Sequence, residues 1–269
     1  MRIALCFSGH IRDLEHTKEF WTSLIQKYNI DVYASLWNIE NKELNDTIDN
    51  FIQIYNPKKI EVDSYETYKT TTGDLAAMHI NPPLILSEMF QSSTKAFGQF
   101  PMYYKIWKCN MLTKEDTPYD LVIRARTDIV LDEKFEIVYN EMLNVPMGSN
   151  YISYFPYSNG INDCFAYGIP KIMDYYSFIY LQMMQYLNDG HYAFQPEHFL
   201  AVHFSKIHIQ IRYFANYMMI SRVSKGTQNE IYNKFVNPAV EEIQWSDWHI
   251  YQPNPNINFK KDIRDDFVI

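Results

Sequence analysis

Two arginines and an aspartate alternate in one short stretch, Arg124-Ala-Arg126-Thr-Asp128, which directly follows the apolar run Leu-Val-Ile. Guanidinium groups bind phosphate oxygens through paired hydrogen bonds, and a carboxylate is an oxygen ligand that suits Mg²⁺ or Mn²⁺. Because alternate side chains of a strand share a face, Arg124, Arg126 and Asp128 are predicted to point the same way. The pattern predicts a site for a diphosphate and a cation. An internal salt bridge from Arg126 to Asp128 or Asp132 explains it equally well.

A second polar cluster follows the first apolar run of the chain. Ser8, Gly9 and His10 come directly after that run, and Arg12 stands two residues further on. Gly9 lets the backbone approach a ligand closely, and Arg12 can reach a phosphate or a carboxylate. One glycine after a strand is a weak signal. Neither a GxGxxG motif nor a P-loop occurs in the chain, which argues against a dehydrogenase or a kinase.

The first third of the chain has the sequence pattern of βαβ units, in which strands and amphipathic helices alternate. The pattern predicts strands over 3–7, 31–36 and 59–62 and helices over 15–28 and 43–54. A parallel sheet is the simplest arrangement of such units. Ligands of open α/β sheets bind outside the carboxyl ends of the strands, so both polar clusters fall where a ligand is expected.

The remaining elements are predicted from the same patterns. Residues 66–84 are polar and end near two prolines, which indicates an irregular connection able to cover a cleft. A helical stretch is predicted over 85–112 with a break at Pro101, and its second part is predicted to lie against the sheet. Further strands are predicted over 119–128, 151–155 and 207–213, and helices over 171–187 and 197–204. From about Lys225 the chain is polar, rich in asparagine and interrupted by prolines, so this part is predicted to wrap the surface or close the site.

Composition limits the classes of partner. The chain has 269 residues without a low-complexity linker, so a single domain over 1–269 is expected. With 24 Lys and Arg against 32 Asp and Glu the net charge is -8, which argues against a nucleic-acid partner. Three scattered cysteines without CxxC spacing fit neither a zinc site nor a disulfide framework. No signal peptide or bilayer-spanning run is recognisable, so a cytoplasmic protein without a transmembrane segment is expected.

The chain contains Asp120-Leu-Val-Ile-Arg-Ala-Arg-Thr-Asp128, preceded by Met102-Tyr-Tyr-Lys-Ile-Trp and begun by Ala4-Leu-Cys-Phe-Ser-Gly-His-Ile-Arg12. Together these segments resemble GT-A glycosyltransferases of bacterial and large-virus polysaccharide pathways, over roughly the first two-thirds of the chain. The resemblance implies an α/β, Rossmann-like fold with a mixed, mainly parallel sheet flanked by helices and an elaborated C-terminal part. It also implies a nucleotide-sugar-binding half, 1–132, and an acceptor and catalytic half, 133–269.

In that fold the first strand and its loop hold the nucleotide, which implies donor contacts for the cluster from Ser8 to Arg12. A DxD motif after the fourth strand binds the cation and the sugar diphosphate. Asp128 takes the last, metal-binding position of that motif, which implies Mn²⁺ or Mg²⁺ there. Arg126 stands where the first aspartate is expected, so an arginine can share the diphosphate charge with the cation, and Arg124 is placed with them on the donor.

The resemblance also implies a catalytic base and a further metal ligand. Asp163 lies in a Gly- and Asn-rich segment, 159–168, which resembles the donor- and acceptor-lining loop after the DxD motif. Glu197 begins a helix and resembles the acid that supplies the base in many inverting members, although the helix dipole also favours an acid there. His249 stands where some GT-A enzymes place a histidine on the metal, although a lone histidine is more often structural.

The resemblance thus implies a glycosyltransferase that moves a hexosyl or pentosyl group from a nucleotide-diphosphate donor to a glycan or other hydroxyl acceptor, assisted by a metal at Arg126-Thr127-Asp128. A non-catalytic nucleotide- or carbohydrate-binding α/β protein is one alternative. A sugar nucleotidyltransferase is another, but its glycine-rich, basic loop after the first strand is sparse here. Geometry discriminates between them, because a catalytic site should place Asp128 and either Asp163 or Glu197 around one pocket.

Overall fold

The structure is a computed structural model, and it describes residues 1–73, 94–116, 118–131, 149–155, 160–188, 196–204, 206–207, 210–214 and 218–220. The predicted metal ligand His249, the carboxylate Asp132 and the polar part from Lys225 onward lie outside these ranges. Most of the predicted cover, 74–84, lies outside them as well. None of the described helices is both long and apolar enough to cross a membrane.

A mixed sheet forms the centre of the molecule. Its strands and those of a small ribbon are β1 (Ile3–Gly9), β2 (Asp31–Trp37), β3 (Lys59–Asp63), β4 (Leu121–Ala125), β5 (Ile129–Leu131), β6 (Ser149–Phe155), β7 (Gly160–Gly168), β8 (Gln210–Phe214) and β9 (Met218–Ile220). Seven strands are ordered β3-β2-β1-β4-β7-β6-β8, and β5 pairs with β9. The first four are parallel, β7 is antiparallel to both of its neighbours, and β8 is parallel to β6. The predicted mixed, mainly parallel sheet is confirmed.

Helices cover both faces of this sheet. They are α1 (Leu14–Tyr28), α2 (Ile48–Tyr55), α3 (Tyr65–Tyr68), α4 (Thr94–Leu112), α5 (Pro170–Asn188) and α6 (Pro196–Phe204). Helices α1 and α2 share one hydrophobic core with one face of the sheet, and α4, α5 and α6 share a second core with the opposite face. Every residue of β1 is buried, as expected for a parallel strand that is covered on both sides.

Alternation along the strands assigns their residues to the two cores. Leu5 and Phe7 of β1 pack toward α1 and α2, whereas Ala4 and Cys6 pack toward α4 and α5. The Phe7 ring meets Trp21 edge to face at 5.2 Å, and the indole Nε1 of Trp21 donates to the Ile129 carbonyl at 2.8 Å. The buried indole therefore keeps a hydrogen-bond partner while it fills the core.

Helix boundaries differ from the predictions at three places. Helix α4 runs through Pro101 instead of breaking there, while Tyr103 and Ile106 are buried in the core against the sheet as predicted. Packing of its apolar residues therefore outweighs the cost of an interior proline. The predicted helix over 43–54 is a 3₁₀ turn followed by α2, which the Thr47 hydroxyl caps by accepting from the Asn50 amide. The described start of the predicted irregular cover is helical, with α3 followed by a π-helical turn (Lys69–Gly73).

Candidate active site

The segments that follow β1 and β4 begin side by side at one edge of the sheet. The two strands are parallel neighbours in register, with Cys6 opposite Arg124 and Phe7 opposite Ala125. Strand β4 ends at Ala125, three residues before the predicted end, and the chain turns at Thr127 and Asp128 before β5 begins. The positions of Arg126 and Asp128 therefore result from a turn, and strand alternation does not extend to them.

Thr127 joins the two segments, a role that the sequence pattern did not indicate. Its buried hydroxyl accepts from the Arg12 amide at 3.0 Å and lies 3.2 Å from the Arg12 carbonyl and 3.3 Å from the His10 carbonyl. The Thr17 hydroxyl of α1 donates to the Thr127 carbonyl at 2.7 Å. Thr127 thus holds the segment after β1 against the turn after β4, which positions the side chains of Arg12 and Asp128.

The start of α1 is held by a residue from a distant segment. The buried Asp46 carboxylate accepts from the amides of Asp13 and Leu14 at 2.8 and 2.9 Å. Asp13 adopts a left-handed backbone conformation with φ of 51°, and its own side chain does not cap the helix. Asp46 therefore satisfies amides that the helix leaves open. Sequence reasoning missed it because the two segments are far apart along the chain.

Arg126 and Asp128 form a bidentate salt bridge. The Arg126 Nε donates to Asp128 Oδ1 at 2.9 Å, and its Nη2 donates to Oδ2. The Arg12 Nη1 lies 3.9 Å from Oδ2, and the Asp128 side chain is 1% exposed against 43% for Arg12. We call Arg12, Arg126 and Asp128 the edge cluster. The internal salt bridge allowed by the sequence is present, and Arg12 adds a second, more exposed cation.

Arg126 stays positively charged inside this cluster. Burial by itself would lower the pKa of its guanidinium, but Cys164, Asp128 and Asp163 outweigh burial and raise the pKa above its ordinary value. A buried cation is retained when it is paired and hydrogen-bonded, as Arg126 is with Asp128. The edge cluster therefore has two permanent cations around one carboxylate.

Asp163 lies beside Arg126 but on a strand, in contrast to the predicted loop. It belongs to β7, which pairs antiparallel with β4 and β6. The Arg126 amide donates to the Cys164 carbonyl at 3.2 Å, and the Cys164 thiol donates to Asp163 Oδ1 at 3.3 Å. Burial, followed by Asp163, raises the pKa of the Cys164 thiol to about 12, so it stays protonated at neutral pH. The structure thus brings Asp128 and Asp163 together around Arg126.

Glu197 is the second residue of α6, in the first turn as predicted. The helix packs against β7, and the Tyr103 hydroxyl of α4 donates to the Pro196 carbonyl at 2.6 Å. The start of α6 is therefore fixed against α4, on the face of the sheet opposite α1. The predicted helix over 197–204 is confirmed to within one residue.

His10 adds a neutral imidazole to the edge cluster. Burial is the main reason that its pKa falls to about 4; Arg12 and Arg126 lower it further, while Asp128 opposes them. The ring lies edge-on to Tyr65 with centroids 5.5 Å apart. At neutral pH His10 can therefore donate one hydrogen bond and accept another without adding charge.

Gly9, the last residue of β1, has open space beside its backbone. Its φ of +108° lies in a range that residues with a Cβ rarely adopt, and nothing lies within 4 Å of where a Cβ would be. Ser8, the residue before it, is buried. Arg124 is also buried, on the face of β4 that Val122 presents to α4 and α5, so it lies apart from the Arg126–Asp128 pair.

Asp128 was expected to bind Mn²⁺ or Mg²⁺, and the surrounding side chains test that fit. Both of its oxygens already accept hydrogen bonds from Arg126. Within the described ranges, no three His, Cys, Asp or Glu side chains are grouped as a metal site requires. With Arg126 bound to the carboxylate, these residues do not form a cation site by themselves, and the metal role of Asp128 stays a prediction.

The comparisons found proteins similar to this chain only among solved structures. No protein-family model matches the chain, and no curated protein sequence matches it. The chain is similar to a glycosyltransferase involved in the glycosylation of the major capsid of PBCV-1, at 10% identity and a TM-score of 0.34, over 68% of this chain and 67% of that one. It is also similar to core-mannan synthase A from Aspergillus fumigatus in its Mn/GDP form, at 10% identity and a TM-score of 0.44, over 81% and 74% of the chains.

A third similar structure is the mannosyltransferase Ktr4p from S. cerevisiae, at 13% identity and a TM-score of 0.36, over 82% of this chain and 70% of that one. Likenesses of this size do not assign a function.

Proposed function

We propose that this protein transfers a sugar from a nucleoside-diphosphate donor to a hydroxyl group of a glycan or another acceptor. One observation carries the proposal: two guanidinium groups, from Arg12 and Arg126, converge on the single carboxylate of Asp128 at the carboxyl ends of adjacent parallel strands. Open α/β sheets bind ligands at that edge, and two cations around one carboxylate leave a net positive charge for an anion.

The two arginines differ in how they contact Asp128 and in how exposed they are. Arg126 is tied to Asp128 by two hydrogen bonds, whereas Arg12 is half exposed and lies 3.9 Å from the carboxylate. Arg12 is therefore the group that turns toward a diphosphate, with Arg126 supplying fixed charge behind it. As the bond to the sugar breaks, negative charge develops on the leaving nucleoside diphosphate, which nearby guanidinium groups stabilise.

Asp163 is the carboxylate that we favour as catalytic base. It is buried, and its Oδ1 accepts a hydrogen bond from the Cys164 thiol, whose sulfur in turn accepts from Arg126. In transfer with inversion, the acceptor oxygen attacks the anomeric carbon while the bond to the diphosphate breaks. The proton of the acceptor hydroxyl then passes to Asp163. Glu197, in the first turn of α6, is the second candidate for this role.

A binding protein without turnover is the second candidate function. It is favoured by the ion pair itself, because Arg126 occupies both oxygens of Asp128 as a structural partner would. Such a protein would bind the donor and release no nucleoside diphosphate. Turnover therefore separates the two functions where binding does not.

Donor binding is expected to raise the melting temperature. UDP-, GDP-, CMP- and dTDP-sugars should be screened with Mn²⁺, with Mg²⁺ and with EDTA. At a hundredfold excess over Kd, a bound donor should stabilise the fold by about 2.7 kcal/mol, or roughly 5–10 °C. The sugars that respond also show whether a hexosyl or a pentosyl group is carried.

Part of that shift is expected to persist in EDTA, because Arg12 and Arg126 face the diphosphate without a cation. A shift that disappears in EDTA and returns with Mn²⁺ would assign the diphosphate charge to a metal. No response to any donor, with or without metal, would contradict the proposed function.

Asp163→Asn is expected to lower kcat by about a hundredfold or more while the KM for the donor changes little, because the amide cannot take the proton. Glu197→Gln is the matched control, since it makes the same chemical change on α6, and its kcat should stay within a few-fold of the wild-type value. A large loss in Glu197→Gln alone would place the base on α6. Unchanged turnover in both variants would refute a base at either position.

A further inference from the structure

Arg124 is a buried cation without a hydrogen-bond partner in the described part of the chain. Its side chain is 2% exposed, and its Nε, Nη1 and Nη2 all lack partners there. On either side of it in the sheet stand Cys6 of β1 and Ala166 of β7, neither of which carries a charge. Burying an unpaired guanidinium is costly, so its position needs a reason other than stability.

Two buried hydroxyls share this property. The Oγ atoms of Ser8 and Ser35 also have no hydrogen-bond partner among the residues that the structure describes. The two serines are register partners on β1 and β2. In β1, Ser8 follows Ala4 and Cys6 by alternation, and in β2, Ser35 follows Tyr33; these residues face the core under α4.

Arg124 belongs to the same face, because Val122, two residues before it in β4, packs in that core. On the neighbouring strand β1, Cys6 is the register partner of Arg124. Ser8 lies two residues beyond Cys6, toward the carboxyl edge of the sheet. The three unpartnered groups thus lie on one face of three adjacent strands, β2, β1 and β4. We call them the buried subsite.

The buried subsite offers donors and positive charge. A guanidinium has five N–H donors and each serine hydroxyl has one, which is more than the two oxygens of a carboxylate can satisfy and suits a phosphate group. Asp128 is paired with Arg126, and Arg124 has no hydrogen-bond partner among the described residues, so the Arg124 charge is left for a ligand. Ser8 and Arg124 are each the last residue but one of their strands, so the subsite lies close to the carboxyl edge of the sheet.

We propose that Arg124, with the hydroxyls of Ser8 and Ser35, binds a phosphate group of the nucleotide donor on the α4 side of the sheet. This inference rests on the proposed function and deepens it. In this arrangement the edge cluster binds the more exposed part of the diphosphate. The buried subsite binds a phosphate next to Ser8, on the α4 side of the sheet. The cost of burying Arg124 is offset only when the anion is bound.

Whether Arg124→Met raises or lowers the melting temperature tests the role of Arg124 in binding phosphate. Without ligand, Arg124→Met should melt about 2–4 °C above the wild type, because it removes a buried, unpartnered charge. Its affinity for pyrophosphate and for nucleoside diphosphates should fall about tenfold or more. Arg2→Met is the matched control: Arg2 lies just before β1 at the opposite edge of the sheet, so this variant should keep the wild-type affinity.

Ser8→Ala provides a second test if Arg124→Met is not recovered folded. Removing a hydroxyl without a partner should not lower the melting temperature, while pyrophosphate should bind a few-fold more weakly. A lower melting temperature for Arg124→Met together with unchanged pyrophosphate affinity would show that Arg124 is structural and overturn the proposal.

Failure of the subsite and failure of the proposed function give different results. If pyrophosphate stabilises the wild type through Arg124 but no nucleotide sugar does, the subsite stands and sugar transfer is refuted. If Arg124→Met turns over a nucleotide sugar with unchanged KM, sugar transfer stands and the subsite is refuted.

Discussion

Asp128→Ala is expected to lower sugar transfer by about a hundredfold or more and to reduce the free energy of unfolding by about 3–5 kcal/mol. The stability loss follows from the ion pair. Arg126 keeps its charge because its pKa is raised, and it would lose both of its hydrogen bonds to the carboxylate while buried. An exposed metal ligand would give the loss of activity without the loss of stability.

A double-variant cycle separates the two effects. Arg126→Met combined with Asp128→Ala removes both charges, so the free energy of unfolding should recover most of the loss caused by Asp128→Ala alone. A nucleotide-sugar donor should raise the melting temperature of the double variant less than that of the wild type, since one of the two cations facing the diphosphate is gone. Urea denaturation at neutral pH and release of nucleoside diphosphate measure the two quantities. If Asp128→Ala is as stable as the wild type, the ion pair does not support the fold.

Acidification is expected to destabilise the protein strongly through one buried histidine. His203 is fully buried; its Nδ1 accepts from the Tyr186 hydroxyl at 2.7 Å, and its Nε2 donates to the Tyr175 carbonyl at 2.7 Å. A carbonyl can only accept, so the proton of the neutral ring is on Nε2. The Tyr175 ring stacks on the imidazole with centroids 4.0 Å apart.

Burial is the largest cause that lowers the pKa of His203 from 6.5 to about 3; the Tyr175 carbonyl opposes the shift and Lys206 adds to it. In the unfolded chain His203 is therefore protonated as the pH falls below about 6.5, whereas in the folded chain it is protonated only near pH 3. The stabilising contribution is complete above the unfolded pKa and is lost as pH falls through this window. The loss amounts to roughly 4–5 kcal/mol. The lowered pKa of His10 acts in the same direction.

Urea denaturation between neutral pH and pH 3 measures this loss. His203→Gln should flatten the dependence of the free energy of unfolding on pH, whereas His16→Gln, on the exposed side of α1, should leave the dependence as it is. A proton NMR titration of the wild type supplies a readout that does not depend on the variant folding. A His203 ring that titrates above pH 5 would contradict the assignment.

The sequence by itself was sufficient to predict most elements of the first third of the chain and the class of fold. The apolar alternation of β1 and β2 and the amphipathic pattern of α1 are local properties, so they can be recognised before any contact is known. Two polar clusters placed directly after strands also predicted a common edge, because parallel neighbours end together. Arg12, Arg126 and Asp128 do meet there.

Only the tertiary structure decided how those side chains are used. Strand β4 ends at Ala125 because the following turn is held by Thr127, whose partners stand more than a hundred residues away along the chain. Asp46 at the start of α1 and Cys164 beside Arg126 also come from other segments, 33 and 38 residues away along the chain. Such contacts depend on strand register and on which loops meet.

The three residues of the arginine–aspartate motif show the difference most clearly. Their spacing predicted one shared face, but a turn pairs Arg126 with Asp128, while the last residues of β4 place Arg124 among the uncharged neighbours of β1 and β7. Residue types decide which charges are present, and this is local information. Whether a charge is paired, and with what, depends on the neighbouring strands and on burial, which only the folded chain determines.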